Sequence, residues 1–187
     1  MIIEDGHSGN KVAVNNDNRM LVQAVESSIE HHINHFFGLA FQLTFDVSPD
    51  ATNDCIFYMQ NTSDTDLVIE EIMMFVDASC EISLKIGDKG TRNSATNLIP
   101  INANAGSGLS ADGIFEKGVD LDGGGATLSG GNEIAMYKFG SSNGKTESFN
   151  FAQDIILPKN ETLTIWCSDS SVTLYATLPI NYHNASG

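Results

Sequence analysis

Basic side chains are scarce in this chain. Nine lysines and arginines stand against 24 aspartates and glutamates in 187 residues, a formal net charge of −15. Phosphate backbones and anionic lipid headgroups repel such a surface, which argues against nucleic acid and membranes as partners. The acidity suits solvent or a basic partner instead. Long apolar runs are also missing, and none approaches the roughly 18 residues of a membrane-spanning helix. Only three cysteines occur, Cys55, Cys80 and Cys167, far apart and without C-x-x-C spacing. That excludes a disulfide framework and predicts three reduced core thiols made in a cytosol. There is one tryptophan, Trp166, in an apolar strand-like run, where a core role is expected over a sugar-stacking one.

Catalytic signatures are lacking as well. No G-x-S-x-G elbow is present. Gly123-Gly124-Gly125 and Gly130-Gly131 match neither the Walker nor the Rossmann fingerprint. Gly144-Lys145-Thr146 spells G-K-T, but Phe139 stands where a phosphate-binding loop needs its upstream glycine. No carboxylate pair stands out for glycoside hydrolysis. The expectation is a protein that is not an enzyme and needs no cofactor.

What is present is β-patterning. Apolar residues at 41% and charged residues at 18% describe a globular chain. Runs 40–47, 54–60, 67–76, 79–86, 133–139, 146–151, 154–157, 162–167 and 171–180 read as strands, bounded by turn residues. Asn143-Gly144 signals a hairpin, and 162–167 pairs plausibly with 171–180 across Ser168-Asp169-Ser170. Cys80, Ile82, Leu84, Ile165, Trp166 and Leu174 are expected in the core. Ser27 to Glu30 forms a capping box ahead of Ile29, Ile33, Phe36 and Phe37, and Gly38 offers a stop. A short helix over about 28–37 follows. The stretch 87–132 is Gly-rich and irregular, an excursion loop with at most one short strand near Leu98–Asn102. The reading is an all-β, β-sandwich or jelly-roll-like single domain over 26–187, preceded by an arm over 1–25 that carries a β-hairpin.

Two clusters have ligand-bearing side chains. His31, His32 and His35 form H-H-x-x-H, which on a helix sets His31 and His35 one turn apart. A polar helix face opposite the Ile/Phe stripe is the favoured explanation. Asp112, Glu116, Asp120 and Asp122 form an acidic group in the Gly-rich stretch, without the spacing of an EF-hand. A solvated acidic loop is favoured over a weak calcium site, and no metal ligands are assigned.

The run Ile3-Glu4-Asp5-Gly6, then Lys11-Val12, then Asn18-Arg19-Met20-Leu21 resembles the opening I-E-D-G-x-G-x-x-x-K-V-x-x-x-N-R-L of tailed-phage virion structural proteins. Cys55 to Asn61 followed by Asp66 to Ile69, Leu128 to Gly131, and Ile155 to Lys159 are similar to further segments of that family. The chain departs from it at His7-Ser8 and in its H-H-x-x-H segment. The resemblance implies a virion protein made in the host cytoplasm, foremost a capsid decoration (cement) protein on the outside of the head shell. Alternatives are a tail or neck adaptor or baseplate protein, and a virion-surface carbohydrate-binding module. The implied partners are the major capsid protein or another virion protein, together with copies of itself, a trimer being favoured. The resemblance carries over no catalytic residues. A lone two-stranded hairpin is marginal in water, so the arm is expected to dock on a neighbouring chain. Val12, Val14, Arg19, Leu21 and Val22 are its candidate contact residues.

Overall fold

The computed structural model describes residues 3–4, 11–12, 34, 37–140 and 146–183. Among them, no helix is long and apolar enough to cross a membrane. The strands are β1 (Ile3–Glu4), β2 (Lys11–Val12), β3 (Ala40–Val47), β4 (Asp54–Asn61), β5 (Asp66–Val76), β6 (Cys80–Ile86) and β7 (Thr96–Asn97). They continue with β8 (Ile101–Asn102), β9 (Gly113–Lys117), β10 (Asn132–Phe139), β11 (Thr146–Leu157), β12 (Thr162–Cys167) and β13 (Leu174–His183). One sheet has the order β10-β6-β12-β4-β9-β7 and the other β11-β5-β13-β3-β8. Every pairing is antiparallel.

The eight long strands pair by nesting. The first, β3, lies beside the last, β13. Likewise β4 lies beside β12, β5 beside β11, and β6 beside β10. Consecutive strands on each arm of this rolled hairpin alternate between the sheets, which is the jelly-roll arrangement. The expected all-β sandwich is therefore what forms.

Period-two patterning places the core. In β3, Phe41, Leu43, Phe45 and Val47 face inward while their neighbours are exposed. In β6, Cys80, Ile82 and Leu84 face inward between partly buried neighbours. Phe45 of one sheet stacks on Phe57 of the other, centroids 4.6 Å apart. Ile165 and Leu174 of the expected core are buried as well, while Trp166 is partly exposed. At the end of β4, Asn61 is fully buried and donates from Nδ2 to the carbonyls of Thr65 and Leu157.

Strand β4 departs from simple alternation. Its register against β12 slips where Ile165 pairs with Phe57 and Trp166 with Cys55. The extra residue turns Ile56 and Phe57 both into the main core. Cys55 and Tyr58 are left on the outer face, where they are also buried, against Leu121 and Leu128.

Four sequence expectations are corrected. The stretch 87–132 is not one loose excursion: it supplies β7, β8 and β9, and β9 pairs along β4. The short strand near Leu98–Asn102 narrows to Ile101–Asn102. Segments 162–167 and 171–180 do not form a hairpin, since β12 and β13 lie in opposite sheets. The strands flanking Asn143-Gly144 are likewise in opposite sheets, with β10 on β6 and β11 on β5. Turn chemistry reverses the chain but does not choose which sheet it enters.

At the front, β1 and β2 pair, Ile3 with Val12 and Glu4 with Lys11. The hairpin expected across Asn15–Asn18 and most of the helix over 28–37 lie outside the described residues. The stop at Gly38 is present: its N–H donates to the Asn34 carbonyl at 3.2 Å and its φ is +62°.

Ile165 and Leu84 are directly paired across β12 and β6, and both are fully buried. Replacing either with Ala is expected to cost about 2–5 kcal/mol in urea unfolding. The double variant should cost measurably less or more than the sum, because the two side chains share one cavity.

Candidate functional site

The part of the chain that departs most from a bare sandwich is the 88–131 segment folded over the outer face of β4 and β12. It is closed at its root by Asp88, which is 2% exposed. Oδ2 of Asp88 accepts from the Thr164 hydroxyl at 2.6 Å and from the Trp166 indole N–H at 3.1 Å. Oδ1 accepts from the Gly131 N–H at 2.7 Å, and the Asp88 carbonyl accepts from the Thr162 hydroxyl at 2.8 Å. One residue thus joins the start of the segment, its end and the middle of β12. Gly131 is required by proximity: a Cβ there would lie 2.6 Å from the Asp88 carboxyl carbon. The bridge between Lys89 and Ser129 and the hydroxyl contact of Thr91 with Thr127 continue the closure.

Further along, Leu121 and Leu128 seal against Cys55 and Tyr58. Arg92 lies over the Tyr58 ring at 4.2 Å and donates from Nε to Glu116 at 2.6 Å, with both charged side chains largely buried. The Glu116 contact raises the Arg92 pKa, and burial raises that of Tyr58. Lys85 covers the Trp166 ring at 3.6 Å. That ammonium covers the ring, and the indole N–H donates to both Asp88 and the Thr164 hydroxyl, so the tryptophan is not an open stacking platform.

The acidic group read from sequence divides in space. Asp112 accepts from the Thr62 hydroxyl and Glu116 is paired with Arg92, so neither belongs with Asp120 and Asp122. Those two instead meet Asp54 of β4, with carboxylate oxygens of all three within 4.8 Å of one another. Asp54 accepts from the Ala51 N–H at 2.7 Å, and Asp122 accepts from the Cys55 N–H at 2.6 Å. Burial, aided by the charges of Asp120, Asp122 and Asp50, holds the Asp54 carboxyl above the ordinary carboxylate range, while the Ala51 N–H pulls the other way. Among the described residues this is the group with the composition to hold a hard cation. Asp54 carried no sequence signal: it opens a strand, and only the fold brings it to the loop.

A second feature lies where the chain enters the sandwich. Phe37, Ile99, Ile101 and Leu109 are all exposed large apolar residues. Asn102 ties them together, donating from Nδ2 to the carbonyls of Gly38 and Leu109. A groove of about 410 Å³ runs beside Ile99, lined also by Pro100, Ala111, Ile114 and Phe115.

Of the five expected arm contacts, Val12 lies in β2, and Val14, Arg19, Leu21 and Val22 lie outside the described residues. His31, His32 and His35 lie outside them too. The three thiols are free and buried, as expected. Cys80 and Cys167 share a hydrogen bond that raises the Cys80 pKa and lowers that of Cys167.

The class defined by the fold is a two-sheet, antiparallel jelly-roll sandwich. No known family model and no curated protein matches the chain. Among solved structures, it is similar to the CBM22-1–GH10 modules of the Clostridium thermocellum endo-1,4-β-D-xylanase 10B complexed with xylohexaose. Identity is 10%, the TM-score is 0.31, and the match covers 81% of this chain and 27% of that one. The chain thus spans about a quarter of that protein's length, and a likeness this distant carries no functional argument.

Asp88→Ala is expected to cost about 3 kcal/mol or more, because three donors lose their acceptor in a buried site. Hydrogen exchange should show the 88–131 segment opening first. Asp54→Asn should do the opposite. A carboxyl whose folded pKa is raised costs stability as pH climbs from the unfolded carboxylate range through the folded value. The variant's melting temperature should therefore match wild type in acid and exceed it increasingly toward neutral pH.

Proposed function

We propose that this chain is a structural module of a tailed-phage virion, seated on the outer surface of the head shell and reinforcing it. The observation that carries the reading is the N-terminal motif, Ile3 to Leu21, which resembles the opening of that family. Two features of the domain support it. Behind the arm stands a sandwich with a continuous two-sheet core. Where the chain enters the sandwich, Phe37, Ile99, Ile101 and Leu109 offer an exposed apolar surface for assembly. The chain works by binding rather than by catalysis, and its partners are the shell protein and other copies of itself.

The acidic surface fits this role. Lys89, Arg92, Lys117, Lys138 and Lys159 are each paired with a carboxylate, and Lys85 is spent on Trp166. Little positive charge remains on the described surface, so a partner that uses charge is basic.

A carbohydrate-binding role is the second reading. It is favoured by Tyr175, about half exposed beside Phe75 on the open face of the five-stranded sheet, with ring centroids 5.6 Å apart. Tyr175→Ala would then abolish retardation of the protein in gels containing host polysaccharide.

Quantitative mass spectrometry of purified particles separates head from tail. Decoration requires copy numbers in proportion to the shell protein; a few copies per particle would place the chain in the tail or neck. Deleting residues 1–25 is expected to leave a cooperatively folding core whose occupancy on particles falls at least tenfold. Unchanged occupancy would show that the arm is not the anchor.

A further inference from the structure

The distribution of charge on this molecule is uneven, and the unevenness coincides with its most exposed apolar side chains. Residues 93–111 contain no Asp, Glu, Lys or Arg, in a chain whose net charge is −15. Within that stretch Ile99 is 80% exposed and Ile101 67%, with Leu109 exposed beside them. The segment is held firmly. Asn102 donates to Gly38 and Leu109, Asn104 donates from Nδ2 to the Asn34 carbonyl, and Leu98 N–H donates to Phe115. These isoleucines therefore stand out from a fixed backbone. Burying each fully would contribute on the scale of a core residue.

We infer that the uncharged rim formed by residues 93–111 is the surface on which a second copy of this chain docks. Two identical chains of this charge repel one another over most of their surfaces, since like charges brought into contact cost free energy. A surface without charge of its own avoids that repulsion, and residues 93–111 supply none. Its relief gives a second copy something to grip: the exposed Ile99 stands in the wall of the groove lined also by Pro100, Ala111, Ile114 and Phe115. The one acid in the groove, Glu116, is already paired with Arg92. A basic partner has little to recognise here, and exposed apolar patches of this kind mark protein contacts.

The inference deepens the virion reading by naming how copies associate, and rests on that reading only for its biological setting. Sedimentation velocity on the full chain, across a concentration series at low and high salt, tests it. Wild type should self-associate reversibly, and more strongly at high salt, because screening removes the repulsion while the apolar contact persists. Ile99→Asp with Ile101→Asp should weaken association at least a hundredfold. The milder pair Ile99→Ser with Ile101→Ser should weaken it less, and both should melt like wild type. Met136→Asp, an exposed site on β10, should leave association intact. A wild type that stays monomeric at every concentration overturns the inference, as does a double Asp variant that associates normally. If wild type is monomeric yet abundant on particles, the rim fails and the virion reading stands. If it associates through the rim but is absent from particles, the reverse holds.

Discussion

The closure of the 88–131 segment by Asp88 is the interaction on which the rest of this structure depends. In a nested jelly roll the turn of the roll falls between β6 and β10, and here that turn is long. Left open, the ends of that turn would be held only by the β10–β6 ladder itself. Asp88 gathers Gly131, Thr164 and Trp166 within hydrogen-bond distance, so that the end of β6, the start of β10 and the middle of β12 share one joint. A buried carboxylate is tolerated because each of its oxygens receives at least one donor.

With the turn pinned, its interior becomes structural. It lends β9 to the six-stranded sheet, β8 to the five-stranded one, and the lid of Leu121 and Leu128 to the outer face of β4. The bulge at Ile56 makes the lid useful, since it puts Cys55 and Tyr58 on a face that needs covering. The same folding-back carries Asp120 and Asp122 to Asp54, and leaves Ile99 and Ile101 exposed. An acidic joint and an apolar rim are thus two products of one closed segment.

Electrostatics divides the labour on the surface. The few basic side chains whose positions are described are engaged with acidic or aromatic neighbours, which leaves a negative exterior interrupted by the uncharged rim. Such an exterior discourages non-specific association and confines contact to surfaces without charge or to basic partners.

Much of the sandwich was legible in the linear chain. Alternation in Phe41–Val47 and Cys80–Leu84 specified strands and the face each buries, because a period of two has only one way to hide its apolar side. Gly38 and the turn residues likewise marked where the chain must stop or reverse. Pairing was not legible. Asn143-Gly144 and Ser168-Asp169-Ser170 encode reversals, and a reversal serves a hairpin and a crossing between sheets equally well. The Gly-rich stretch was opaque for a related reason: β9 has weak local patterning and is a strand because β4 offers it a free edge. Asp88 and Asp54 had no motif to announce them, since their partners lie far along the chain. Local periodicity determines which side of a segment avoids water; which segments meet is decided only when the two sheets close and every buried donor must find an acceptor.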